Sequence, residues 1–326
     1  MPTEELKTLP KIQAILIEKK DRPDLVIIGG GPAGLTAGIY AKRMGLDVVL
    51  FESALLGGTL AIAPQIENYP GFPGGITGMG LSEAFKDQAK ALGLTIKWGT
   101  VKHIEVKGSL KVVHYDEDSF ISTRALIVAT GAESKKLGIP GEKEFLGKGV
   151  SYCATCDAPF YKDKKVIVVG GGNAALEEAM FIANFASRVT VIHRRDTLRA
   201  DRVLELRARS KPNIYFVWDS EVEKIEGGDK VGSVAVKNIK TNKKSKIDAD
   251  GIFIYIGSNP NVSFLSGILK QDEKGFIVTD DEMKTSVPGI FAAGDVRVKP
   301  LRQVVTAASD GAIAAASAHK YLEEQK

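Results

Sequence analysis

At 326 residues the chain is long enough for two domains of ordinary size. Its composition, 44% hydrophobic and 26% charged with no apolar run near the roughly 20 residues a membrane helix needs, excludes a helical membrane protein and points to a globular one. The net charge of +4 comes from 44 basic and 40 acidic residues spread along the chain, so no nucleic-acid partner is expected; the densest basic stretch, Lys237 to Lys246, reads as the solvated tip of a hairpin.

The segment from Met1 to about Pro23 has no continuous apolar region and no small-residue cleavage site, so it is expected to be an N-terminal extension of a cytoplasmic protein. Asp24 opens a short apolar run that enters three glycines, which predicts a buried strand, a tight turn and a helix from about Pro32 to Met44. A second strand, Asp47 to Phe51, ends at Glu52. Gly29, Gly31 and Gly34 hold the three glycine positions of a dinucleotide fingerprint, for the tight turn, the close approach of a pyrophosphate, and helix-on-strand packing. Glu52 stands about 20 residues further on, where a carboxylate accepts from ribose hydroxyls.

Thr95 to Val101, Leu110 to Tyr115 and Tyr215 to Ile225 are β-rich and predict small antiparallel sheets laid on doubly wound cores. Ala125 to Gly131 and Gly251 to Gly257 read as strand-to-turn crossings between domains. The only two cysteines, Cys153 and Cys156, lie in one run with Asp157 directly after them. A structural zinc site needs four ligands, and neither a further cysteine nor a paired histidine spacing supplies them. An inert pair or a reversible disulfide with an adjacent proton donor remains.

From Lys165 the first pattern returns: an apolar strand, Gly170 and Gly172 with Ala175 in the third small position, a helix to about Phe185 and a strand from Arg188 to Ile192. This strand ends in His193, Arg194 and Arg195, followed by Arg199, instead of an acid. Guanidinium groups there suit the 2′-phosphate of NADPH and predict a preference over NADH on the order of tenfold to a hundredfold. An acid in one unit and arginines in the other imply two different nucleotides, a flavin and a hydride donor.

These residues, together with Glu67 to Gly71, Ala129 to Gly131, Gly289 to Asp295 and Arg302 with Gln303, resemble the low-molecular-weight thioredoxin reductases from about Asp24 to Leu322. The resemblance implies an α/β fold of two Rossmann-like nucleotide-binding domains, the second inserted into the first. In it, residues 1–131 and 257–326 bind FAD, and residues 132–256 bind NADPH and carry the dithiol. It implies electron flow from NADPH through FAD to the Cys153–Cys156 disulfide and on to a thioredoxin-like protein, usually in a homodimer with no membrane partner. Cys156 would lie nearer the flavin, Cys153 would attack the partner, and Asp157 would be the acid. Asn68, Gly294, Asp295, Arg302, Gln303 and Val304 would complete the FAD site. Thr59, Ala158 and Ser309 depart from the residues usual in that family. A flavoprotein reductase serving another disulfide protein, and a nucleotide-binding redox sensor without turnover, are the alternatives.

Overall fold

The computed structural model describes residues 22–63, 66–265 and 267–325, so nearly all of the expected N-terminal extension lies outside the described residues. The chain forms two compact units: the first runs to Ala132 and resumes at Asn259, and the second is Glu133–Ser258.

The first unit is built on a five-stranded parallel sheet in the order Ile290–Ala292, Ala125–Val128, Leu25–Ile28, Val48–Glu52, Thr95–Trp98. Leu25–Ile28 and Ala125–Val128 are wholly buried because both sheet faces are covered, which is why they read as continuous apolar runs. Leu25 and Ile27 face one layer with residues of the helices Pro32–Arg43 and Val304–Glu324; Val26 and Ile28 face the other with Ile104 and Val113. Those last two come from an antiparallel sheet of Val101–Lys107, Leu110–Tyr115 and Ser119–Thr123. Each buried Leu, Ile or Val contributes about 1.5–3 kcal/mol relative to exposure.

The second unit repeats the plan. Its parallel sheet runs Ile214–Val217, Arg188–Ile192, Lys165–Gly170, Gly251–Tyr255, Val150–Ser151. The helix Asn173–Ile182 packs on one face through Ala175, Leu176 and Ala179. The other face is covered by the antiparallel strands Ser220–Gly227, Val231–Asn238 and Lys244–Asp248 through Val222, Val234 and Val236.

Three sequence expectations need correction. Thr95–Trp98 and Ile214–Val217 belong to no antiparallel sheet; each is a parallel edge strand, beside Val48–Glu52 and Arg188–Ile192 respectively. Each follows a helix that carries the chain back over the sheet, Gly78–Ala91 in one case and Arg202–Arg209 in the other, so a parallel partner is the connection that chain direction allows. Ala125–Val128 and Gly251–Tyr255 are interior strands of the two sheets. The chain passes between the units just beyond them, where Ala132–Ser134 and Ser258–Pro260 pair as a two-stranded ribbon.

Candidate functional site

Three sites can be built from the residues upward, each within one unit. In the first unit the strand Leu25–Ile28 runs into Gly29, whose φ of +105° is a conformation that favours glycine. A Cβ on Gly29 would stand 2.4 Å from the Ala129 carbonyl oxygen, and one on Gly34 would stand 1.8 Å from the carbonyl oxygen of Gly29. Gly31 is different. A Cβ there would meet nothing closer than 4.0 Å, so this glycine faces open space at the N-terminus of Pro32–Arg43, as close approach by a phosphate requires. Glu52, at the end of its strand, accepts from the amides of Gly30 (2.7 Å), Ser53 and Ala54 (2.8 Å each). A carboxylate has about four acceptor positions, so one remains after it has tied the two turns together.

Asp295 follows Gly294, on which a Cβ would stand 2.9 Å from Ala33 Cβ in the helix that leaves this glycine turn. Its Oδ1 is buried without a hydrogen-bond partner, and burial pushes the carboxyl above its ordinary range, with Lys299 and Arg302 partly offsetting the effect. An orphaned buried acceptor is costly unless a ligand group satisfies it. The preceding Gly294 is held by Asp310, a residue the sequence reading missed. Asp310 is 5% exposed and accepts from Gly294 N (3.0 Å), Arg297 Nε (2.9 Å) and Lys299 Nζ (2.7 Å). Burial pushes its carboxyl up, but the bonds from Arg297 and Lys299 outweigh that and hold it below the ordinary value. The available signal was an ionisable residue inside the alanine-rich run Ala307 to Ala316.

Asn68 and Gln303, 235 residues apart, are brought together by a 3.0 Å bond from Asn68 Nδ2 to Gln303 Oε1. Gln303 also caps Val304–Glu324 in a reciprocal arrangement with Thr306. Arg302 stacks its guanidinium 4.1 Å from the Phe276 ring centroid, and Val304 packs with Leu60, Ile66 and Leu81. Thr59 and Ser309 are exposed.

In the second unit the same turn is built from different neighbours. A Cβ on Gly170 would stand 2.4 Å from Tyr255 O and 2.7 Å from Ala175 Cβ, which explains a small residue at 175; Gly172 again faces open space. His193 is buried, its ring packed where a Gly171 Cβ would be and its Nε2 3.1 Å from Thr197 O. Burial holds its pKa below the ordinary value, favouring the neutral ring, so it shapes the turn. Arg194, Arg195 and Arg199 are exposed, and among the described residues no carboxylate pairs with them.

The third site follows the strand Val150–Ser151. Cys153 and Cys156 are joined as a disulfide with Cα atoms 5.3 Å apart, bracketing the first turn of the short helix Ala154–Asp157. Burial raises the Asp157 carboxyl above its ordinary range, with the Ser151 hydroxyl partly opposing the shift. Ser151 Oγ accepts from Cys153 N (3.0 Å), and Tyr255 Oη accepts from Ala154 N, between the two cysteines. Glu142 fixes the approach by accepting from Leu137 N, Gly138 N and Tyr152 Oη at 2.6–2.8 Å. Ala158 is fully buried beside Asp157 in the unit's core. Ser151, Tyr255 and Glu142 carried no readable signal, since each is an ordinary residue until folding sets Ser151 and Tyr255 against the backbone of the dithiol turn and Glu142 against Tyr152. The arrangement holds a reducible bond directly followed by a half-buried carboxyl of raised pKa, which is able to carry a proton. Among the described residues no cluster suits a metal ion.

Comparison with known proteins agrees with this geometry. The family described as pyridine nucleotide-disulphide oxidoreductase matches residues 23–311. A thioredoxin reductase of Bacillus subtilis (strain 168) is 45% identical over 302 residues, 92% of this chain and 95% of the relative. One of Peptoclostridium acidaminophilum is 44% identical over 306 residues, covering 92% and 97%. The crystal structure of thioredoxin reductase from Streptococcus pyogenes MGAS5005 superposes with a TM-score of 0.88 at 44% identity, covering 93% of this chain and 99% of that one.

Proposed function

The chain belongs to the pyridine nucleotide-disulphide oxidoreductases, and from that premise we propose that it is an NADPH-dependent thioredoxin-disulfide reductase containing FAD. The observation that carries the reading is the Cys153–Cys156 disulfide followed directly by the half-buried Asp157 carboxyl, in the same unit as a glycine turn flanked by exposed arginines.

FAD, when bound, supplies the two-electron chemistry that takes a hydride from NADPH and delivers an electron pair to a disulfide. In this reading Gly29, Gly31 and Gly34 cradle its pyrophosphate, Glu52 offers its remaining acceptor position to a ribose hydroxyl, and the orphaned Asp295 Oδ1 takes a hydroxyl of the flavin side chain. Gly294, Asn68, Arg302, Gln303 and Val304 border the same site. Gly170, Gly172 and Ala175 form the NADPH turn, His193 packs it, and Arg194, Arg195 and Arg199 hold the 2′-phosphate.

Two electrons and two protons convert the Cys153–Cys156 disulfide to two thiols, and Asp157 supplies a proton to the sulfur that would otherwise leave as a thiolate. Cys153 then attacks the partner's disulfide, forming a mixed disulfide and releasing one partner sulfur. Cys156 attacks Cys153 Sγ, restoring the internal disulfide and freeing the reduced partner. A thioredoxin-like protein is the partner, and cytoplasmic residence and homodimeric assembly belong to the same proposal. So does the division into an FAD-binding domain of residues 1–131 and 257–326 and an NADPH-binding domain of residues 132–256.

Anaerobic titration of the flavin-loaded protein with NADPH and with NADH, following flavin absorbance in the wild type and Cys156→Ser, tests the reading. The expected result is bleaching at far lower NADPH than NADH, with one more electron pair taken up by the wild type. Equal uptake by both proteins would remove the dithiol from the relay.

A further inference from the structure

The basic hairpin tip between Val231–Asn238 and Lys244–Asp248 is exposed, as a solvated turn should be, and it is also tethered at its base. Ile239 N donates to Asp219 O (2.6 Å) and Asn238 Nδ2 to Trp218 O (3.4 Å), folding the tip onto the residues that follow the edge strand Ile214–Val217. Asn238 Oδ1 accepts from Lys240 N and Thr241 N, which fixes the turn itself. Lys240 Nζ is thereby placed 2.7 Å from Asp196 Oδ2 and 3.0 Å from Asp219 Oδ1.

Both acids belong to the arginine turn. Asp196 directly follows Arg195, and Asp219 N donates to Arg195 O at 3.3 Å. Asp219 adopts a φ of +48°, unusual outside glycine, and its carboxylate is only 16% exposed, so it is held at this spot. Without a counter-ion these two carboxylates, one adjacent to Arg195 and one hydrogen-bonded through its backbone to Arg195, would compete for the arginines and repel a dianionic phosphate. Lys240 is that counter-ion, and no carboxylate is left pairing with Arg194, Arg195 or Arg199 among the described residues.

We propose that Lys240 is a positioning residue for cofactor specificity: by engaging Asp196 and Asp219 it leaves the three arginines available to the 2′-phosphate of NADPH. The inference rests on the NADPH assignment of this unit. It differs from an arginine contact in that Lys240 acts through the acids it neutralises. The paired state is consistent with the Asp196 carboxyl being held below its ordinary range by Lys240 and the Lys240 ammonium above its own by the two acids.

The test uses flavin-loaded protein and calorimetric titration with adenosine 2′,5′-diphosphate, with adenosine 5′-monophosphate as the probe lacking the 2′-phosphate. Lys240→Gln should weaken the diphosphate on the order of five- to tenfold, since two like charges near a dianion are restored, one of them on the largely buried Asp219, and leave the monophosphate within about twofold. The KM for NADPH should rise by the same factor with kcat held, and Lys240→Arg should restore both. Adding Asp196→Asn and Asp219→Asn to Lys240→Gln should recover most of the lost affinity, and in the background of those two Asn changes Lys240→Gln should alter diphosphate binding by less than about twofold, which direct contact between Lys240 and the phosphate would not allow. Unchanged diphosphate binding, an equal loss for both probes, or no recovery in the triple variant would overturn the proposal. A wild type that fails to favour the diphosphate over the monophosphate would instead overturn the NADPH assignment, and this inference with it.

Discussion

The two units share a sheet order, a glycine turn and an antiparallel cover, yet they finish the second strand of the turn with opposite charge. In the first unit Glu52 folds its carboxylate back onto three amides of the turn. In the second the corresponding strand ends in a buried neutral His193 and exposed arginines, and the local acids are occupied by Lys240. In the proposed reading one scaffold serves two nucleotides, because the backbone would supply the phosphate cradle in both while a few side chains at one strand end set the sign of the field. The units differ again in what stands beside the turn: the first has an unpartnered Asp295 Oδ1, the second a disulfide.

The sharpest way to break the comparison is to remove the chemistry that only the second unit holds. Cys156→Ser should lower NADPH-dependent reduction of a thioredoxin-like disulfide by a factor on the order of 10⁴ or more, as loss of a covalent nucleophile does elsewhere, while NADPH still bleaches the flavin. In the first unit, Asp310→Asn leaves Arg297 and the 3%-exposed Lys299 without their carboxylate and should cost about 3–5 kcal/mol in denaturant unfolding, with loss of flavin retention. The sign with pH follows from the lowered carboxyl of Asp310. Its contribution is present above the usual 3.8 and is lost as pH falls through the lower folded value, so acid should narrow the gap between wild type and variant.

Asp157→Asn should slow the dithiol step by roughly 10²–10³. Because burial raises this carboxyl, the wild-type rate of that step should decline with rising pH at a value above that of an exposed aspartate, and the variant should lack the decline; stopped-flow rates across pH measure both. The smallest expected effect sharpens the charge contrast. Arg195→Ala or Arg199→Ala should raise the KM for NADPH about tenfold with little change for NADH, whereas comparable steady-state shifts for both cofactors would assign the arginines to general phosphate attraction.

Much of this was legible beforehand. The runs Leu25–Ile28 and Lys165–Gly170, with glycines directly after, announced buried parallel strands entering tight glycine turns, because apolar runs and glycine report local constraints that survive in any context. The edge strands Thr95–Trp98 and Ile214–Val217 were misassigned because a short half-exposed strand has the same pattern in either kind of sheet, and only its neighbour decides. Asp310 offered only an ionisable residue in an alanine-rich run, and Tyr255 and Lys240 were illegible for a related reason. Tyr255 meets Ala154 across 101 positions and Lys240 meets Asp196 across 44, and no local pattern encodes such a pairing.

The sequence by itself determined the repeat, the two fingerprints with their opposite charges, and the dithiol with its acid, since these depend on residue type at short spacing. Tertiary structure alone decided which acids are free. Asp310 is consumed in holding its turn, Glu52 keeps one acceptor position after meeting three amides, Asp196 and Asp219 are neutralised by a lysine from a distant hairpin, and one oxygen of Asp295 is left buried and unmet. A charge's availability depends on what folding brings within about 3 Å of it, and that distance is set by packing between remote segments.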